Sequence, residues 1–205
     1  MIYEIRTYDL SAGMVPEFER SFAAVLPKRT VYSPLLALWH TEIGPLNQVI
    51  HIWPYESLQQ RDEVRLASRQ TQEWPPKFPP NTILRQHTMI AKPAPFSPEP
   101  QPQETGGVFE VRTYTYRPGT LPEVLKRFGE VMPKRVTISP LVAAFTSEFG
   151  ALNQFIHIWA YPDLNARAKL RAEASKQDYW PPKTRDFMLS QEVKICLPAA
   201  CSPLR

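Results

Sequence analysis

Cysteine is scarce in this chain. There are two among 205 residues, Cys196 and Cys201, both near the C-terminal end. The pair has no histidine or third cysteine close by in sequence, so a metal or redox site has no local support, and the two read as free thiols in a reducing compartment. Long apolar runs are missing too, and no segment is long enough to span a bilayer. There is no basic stripe. The net charge of +4 is mild and gives no footprint for nucleic acid. The N-terminal residues Met1 to Arg6 read directly as a strand, without a basic region, apolar stretch or cleavage site, so a cytoplasmic location is expected. No Gly-rich phosphate loop, paired-Cys motif, His-x-x-x-His or Gly-x-Ser-x-Gly occurs, which leaves dinucleotide, zinc and serine-hydrolase chemistry without a motif. No cofactor and no metal is expected.

What the chain does have is a repeat. Residues 44–53, Gly-Pro-Leu-Asn-Gln-Val-Ile-His-Ile-Trp, return at 150–159 with eight of ten positions identical. An offset of 106 maps one half onto the other without a gap. It carries Glu4-Ile5-Arg6-Thr7-Tyr8 onto Glu110-Val111-Arg112-Thr113-Tyr114, Pro27-Lys28-Arg29 onto Pro133-Lys134-Arg135, and Trp74-Pro75-Pro76-Lys77 onto Trp180-Pro181-Pro182-Lys183. So long a period indicates a duplicated folded unit; solenoid repeats are shorter. The expected division is a first unit at 1–91, a Pro-rich linker at 92–107, a second unit at 108–197 and a tail at 198–205. The linker's prolines favour an extended path.

Within one copy, residues 2–9 alternate as a strand. Phe18, Phe22, Val25 and Leu26 then follow helical spacing behind Pro16, and Pro27 is expected to end that helix. Strands are expected at 35–43 and 47–53 around the Gly44-Pro45 turn. A helix at roughly 58–72 follows, opened by the Ser57/Gln60 capping signal, with a last strand at 82–90. In the second copy Asp163 takes the capping role. The order β-α-β-β-α-β, twice over, gives an α+β fold of two tandem ferredoxin-like units. Facing each other, their sheets make an internal pseudo-dimeric α/β barrel.

Strand alternation separates two faces. Glu4, Arg6 and Tyr8 share one face of the first strand. Asn47, His51 and Trp53 share one face of the third, opposite an Ile-rich face. The Ile faces are the natural partners for the helices, which turns the polar set towards the space between the sheets, joined by Glu110, Arg112, Tyr114, Asn153, His157 and Trp159. His51 and His157 are the candidate catalytic groups, since histidine transfers protons or polarises oxygen near neutral pH. Asn47 and Asn153 would hold an oxygen, and Tyr8, Trp53, Tyr114 and Trp159 would wall a flat ligand. A plainer reading makes Glu4 and Arg6 an ion-pair network between the sheets and His51 a satisfied core histidine donating to Glu4. Arg61 and Arg65, four apart on a helix, read as a solvated face, or as an anion clamp at a pocket mouth. Lys28-Arg29 is explained by the helix dipole, and Trp74-Pro75-Pro76-Lys77 by packing as an anchor that stops the helix, with a pocket lid as the alternative. His40 and His87 map onto Thr146 and Val193 and have no repeated partner.

The opening Tyr3-Glu4-Ile5-Arg6-Thr7-Tyr8 and the run Glu42-Ile43-Gly44-x-Leu46-Asn47-Gln48-x-x-His51-x-Trp53-x-Tyr55, both repeated, resemble the NIPSNAP family. The resemblance covers both copies. It implies the dimeric α/β-barrel superfamily, with this one chain supplying both halves. The family's activity is largely undefined. Its mitochondrial members are associated with organelle quality control and trafficking, a role not carried over to a chain without a targeting segment. The wider superfamily includes cofactor-independent oxygenases, isomerases, decarboxylases and haem-handling enzymes, an analogy of fold that assigns no reaction. Two readings follow. One is a protein that binds a small molecule, with cofactor-independent acid/base chemistry at the histidines. The alternative is a non-catalytic scaffold or interaction protein, with haem binding a third reading. The assembly expected is a monomer with an internal pseudo-dimer, or a homodimer.

Overall fold

The computed structural model describes residues 1–71 and 73–205. The first half runs β1 (Ile2–Leu10), α1 (Val15–Thr30), β2 (Ala37–Ile43), β3 (Gln48–Tyr55), α2 (Leu58–Arg69) and β4 (Ile83–Pro93). The second repeats it as β5 (Val108–Tyr116), α3 (Leu121–Arg135), β6 (Leu141–Phe149), β7 (Gln154–Tyr161), α4 (Leu164–Ser175) and β8 (Met188–Pro198). The eight strands close into one barrel in the order β1-β3-β2-β8-β5-β7-β6-β4. β2 pairs with β8 and β4 with β6, both antiparallel. Closure uses up the sheet edges.

Local signals set much of this. The Ser57 hydroxyl accepts from the Gln60 amide at 3.1 Å, and Asp163 accepts from the Ala166 amide at 2.7 Å, each filling an orphan donor of its helix. The Gln60 side chain reaches back to the Glu56 amide. Pro27 does not end α1; the helix continues to Thr30, as α3 continues past Pro133. The extra turn places Arg29 and Arg135 against the sheet, and both are buried. Tertiary packing there outweighs proline's missing donor.

The faces are the reverse of the expectation. The barrel interior holds the Ile side chains, with Tyr3, Trp39, Ile50, Ile52, Phe109, Phe145, Ile156 and Ile158 in one cluster. Apolar side chains fill much of this interior, leaving a cavity of about 300 Å³ among Ile5, Ile50, Ile52, Val111, Ile156 and Ile158, where the charges present, Lys194 and Glu192, pair with each other. Glu4, Arg6, Tyr8, His51 and Trp53 lie on the outer face, under α1 and α2, and their counterparts lie under α3 and α4.

The repeat is not gapless. Tyr3 pairs with Ala91 but Phe109 with Cys196, and Thr7 with His87 but Thr113 with Glu192. The offset has therefore dropped to 105 in the last strand. Cys196 takes the place of Ala91, not Ile90, and His87 that of Glu192, not Val193. Both thiols are free, and burial pushes the Cys196 thiol up to about 12.

The linker and tail are tied down. Ala94 donates its amide to the Ala144 carbonyl, and Phe96 meets Phe155 edge-on at 6.0 Å. The Trp39 indole donates to the Leu204 carbonyl at 3.0 Å, the Leu38 amide donates to the Ser202 hydroxyl, and Leu204 is fully buried in the interior cluster.

Candidate ligand pockets

Strand register brings the outer-face residues together. Glu4 sits opposite Trp53 and Arg6 opposite His51; Glu110 and Arg112 sit opposite Trp159 and His157 in the same way. The helices roof each group, leaving a cavity of about 180 Å³ in the first half and about 450 Å³ in the second.

The histidines are the most constrained members. His51 is 3% exposed and His157 1%. The Trp53 indole donates to His51 Nδ1 at 2.7 Å, and Trp159 to His157 Nδ1 at 2.7 Å. An indole nitrogen can only donate, so Nδ1 must be the acceptor and the proton resides on Nε2. In both histidines Nε2 is buried without a partner, and each histidine is among the residues that line its pocket. Burial holds both imidazoles well below their ordinary pKa, and neighbouring Arg6, Arg65 and Arg29, or Arg112, Arg135 and Arg171, push the same way. Each pocket thus has in its wall a neutral imidazole whose N–H has no partner. Metal or haem ligation through Nε2 would move the proton to Nδ1, against the tryptophan donor, so the histidines do not fit that role. Among the described residues no group of three or more His, Cys, Asp or Glu gathers.

The charges are arranged around one carboxylate. Glu4 Oε1 accepts from Arg6 (3.0 Å), Arg61 (2.6 Å) and, more weakly, Arg65 (3.4 Å). Glu110 Oε1 accepts from Arg112 (2.6 Å), Arg167 (2.8 Å) and Arg171 (3.2 Å). Burial raises these carboxyls, but the arginines outweigh it and hold both below the usual range. The ion-pair network is therefore real, but it joins sheet to helix, and Arg61 and Arg65 are not a solvated face. Arg6 and Arg112 also donate from Nε to the Tyr8 and Tyr114 hydroxyls. Each pocket is lined by four arginines and one glutamate, a surplus of positive charge.

Asn47 and Asn153 lie outside the pockets. Both have left-handed backbones, φ 55° and 57°, which asparagine tolerates better than most residues. The Asn47 carbonyl accepts from the Leu10 amide and its side chain from the Gly13 amide; the Asn153 carbonyl accepts from the Tyr116 amide. Their repetition serves the turns.

Sequence reasoning missed Arg29 and Arg135 as pocket residues and preferred packing to a pocket role for Trp74 and Trp180, which line the pockets. Arg29 lies 4.4 Å over the Trp53 ring and Arg135 4.4 Å over Trp159, with Trp74 and Trp180 alongside. Their identity across the repeat was the available signal, but each had a sufficient local explanation.

Among known proteins, the NIPSNAP family profile matches residues 3–98 and 109–203. A NipSnap homolog from Dictyostelium discoideum is 32% identical over 207 residues, covering 96% of this chain and 87% of that protein. Human NipSnap homolog 3A is 29% identical over 214 residues, covering all of this chain and 86% of its own length. The crystal structure of a protein from Lactobacillus acidophilus superposes with a TM-score of 0.65 over 97% of this chain and 94% of its own, at 11% identity, a likeness of fold alone. With its family profile matched twice and a relative of this identity aligned over nearly its whole length, the chain belongs to the NIPSNAP family.

Proposed function

We propose that the chain binds a small organic anion between sheet and helices, with a histidine Nε2–H and the adjacent arginines meeting its oxygens. The observation that carries this reading is the unpartnered, buried imidazole N–H amid a surplus of arginines. A buried donor without an acceptor costs about 1–3 kcal/mol, and an anionic oxygen removes that cost. The tryptophan-fixed tautomer supports a donor role for His51 and His157, polarising a carbonyl or steadying an enolate, over proton abstraction. The aromatic walls favour a flat ligand. Two unpaired thiols suit a reducing, cytoplasmic setting.

Benzoate titration by calorimetry tests the reading, comparing the wild type with His157→Phe and using thermal melts to establish that each is folded. Loss of a charge-assisted donor should weaken binding by about tenfold or more. Equal affinity in the folded variant would refute the donor assignment.

A further inference from the structure

The two pockets share their polar floor but not their size, about 180 Å³ against about 450 Å³. The difference traces to two phenylalanines. On α1, Phe18 stacks on Phe78 with ring centroids 4.8 Å apart and planes 6° from parallel, and both line the first pocket. The counterpart of Phe18 on α3 is the smaller Val124.

Phe78 has no counterpart. In the first half the Thr82 amide donates to the Pro79 carbonyl, and the Ser11 amide to the Thr82 carbonyl. The same two bonds in the second half run from Phe187 to Thr184 and from Arg117 to Phe187. Pro79 therefore corresponds to Thr184, while Lys77 still corresponds to Lys183 in the repeated Trp-Pro-Pro-Lys. One residue stands between Lys77 and Pro79 and none between Lys183 and Thr184. The position lost is that of Phe78.

The polar groups differ in the same sense. The Arg29 guanidinium is occupied, with Nη1 donating to the Ser33 hydroxyl and Nη2 to the Tyr55 hydroxyl, each at 2.9 Å. In the second half the Tyr161 hydroxyl donates to Glu110 at 3.3 Å while remaining beside the Arg135 guanidinium. Arg135 Nε and Nη1 are buried without partners, as is the Ser139 hydroxyl. Arg135 is 3% exposed and lines the larger pocket.

We propose that the second pocket, under α3 and α4, is the chain's ligand site and takes an aromatic carboxylate, while Phe18 and Phe78 fill the first pocket from within. This rests on the anion-binding reading above. Pockets for small organic ligands span roughly 300–1,000 Å³; the second lies in that range and the first below it. Arg135 and His157 offer the carboxylate its free donors, and Phe128 and Trp180 flank the ring.

The test is calorimetric titration with 2-naphthoate. The wild type should bind one equivalent per chain. Val124→Phe, which copies the first half's bulk, should weaken binding by about tenfold or more, and Phe78→Ala should raise the stoichiometry towards two. Tryptophan quenching by naphthoate gives a second readout that does not depend on how Val124→Phe folds. Quenching should fall in Trp180→Phe, leaving the share due to Trp159 in the same pocket, and be unchanged in Trp74→Phe. Two equal sites in the wild type, or quenching that follows Trp74, would overturn the asymmetry and leave the anion-binding reading standing. No binding of naphthoate or benzoate to the folded wild type would overturn both.

Discussion

Mild acid should destabilise this protein well before its carboxylates protonate. His51 and His157 are buried and held neutral, by burial first and by facing arginines second. In the unfolded chain each takes up a proton near the ordinary value of 6.5. Their folded pKa is lowered, so full stability is present above 6.5 and is lost as pH falls below it. One unit lower the loss is about 1.4 kcal/mol per histidine, about 3 kcal/mol for both while they stay neutral when folded. Against a typical total of about 5–15 kcal/mol this is large. His40 opposes the trend. Its hydrogen bond to Glu19 at 2.7 Å raises its pKa, so its contribution is present at low pH and lost as pH rises through its folded value. His40→Gln should therefore steepen the acid loss. Glu4 and Glu110, held low, act only further down, leaving the interval from about pH 7.5 to about pH 5.5 to the histidines. Urea unfolding followed by tryptophan fluorescence across that interval measures the slope. A flat free energy, or His51 and His157 C2 proton resonances titrating near the free value, would refute the reasoning.

Glu110→Gln should leave three arginines without their shared carboxylate and cost about 3 kcal/mol, read as a lowered Tm that added salt partly restores. Leu204→Ala empties a fully buried position at the end of the barrel and should cost about 2–5 kcal/mol in urea unfolding. Asn47→Ala, placing a Cβ residue without a local side-chain bond at φ 55°, should cost about 1 kcal/mol or more, with Asn47→Gly milder. A thermal melt separates the two.

The duplication, the element order and the grouping of Glu4, Arg6, Tyr8, His51 and Trp53 on one face were all legible, because alternation and repetition are local properties of the chain. Which way that face points was not. Alternation says which side chains travel together, while helix packing decides the side, and that is a tertiary choice. Arg61 and Arg65 held a clue, since a helix bringing two arginines to its sheet needs an acid there, and Glu4 was the acid available. Arg29 illustrates the opposite limit. A cation at a helix end is adequately explained by the dipole, so nothing local marks it as buried under a tryptophan. The missing counterpart of Phe78 was legible but overlooked: the flanking Trp-Pro-Pro-Lys keeps its offset of 106, yet beyond it Leu84/Leu189, Gln86/Gln191, Ile90/Ile195 and Pro93/Pro198 match at 105, the slip that the turn bonds and strand pairing also record.

Barrel closure has a consequence for concentration. The two half-sheets meet at β2–β8 and β4–β6, and the chain that joins them is itself bonded to the barrel. In a barrel built from two separate chains those seams form by a second-order encounter, and dilution dissolves them. Here the encounter is intramolecular, at a fixed effective concentration set by the connecting segment. The unfolding temperature should therefore be independent of protein concentration, and the pockets should persist at the lowest expression levels.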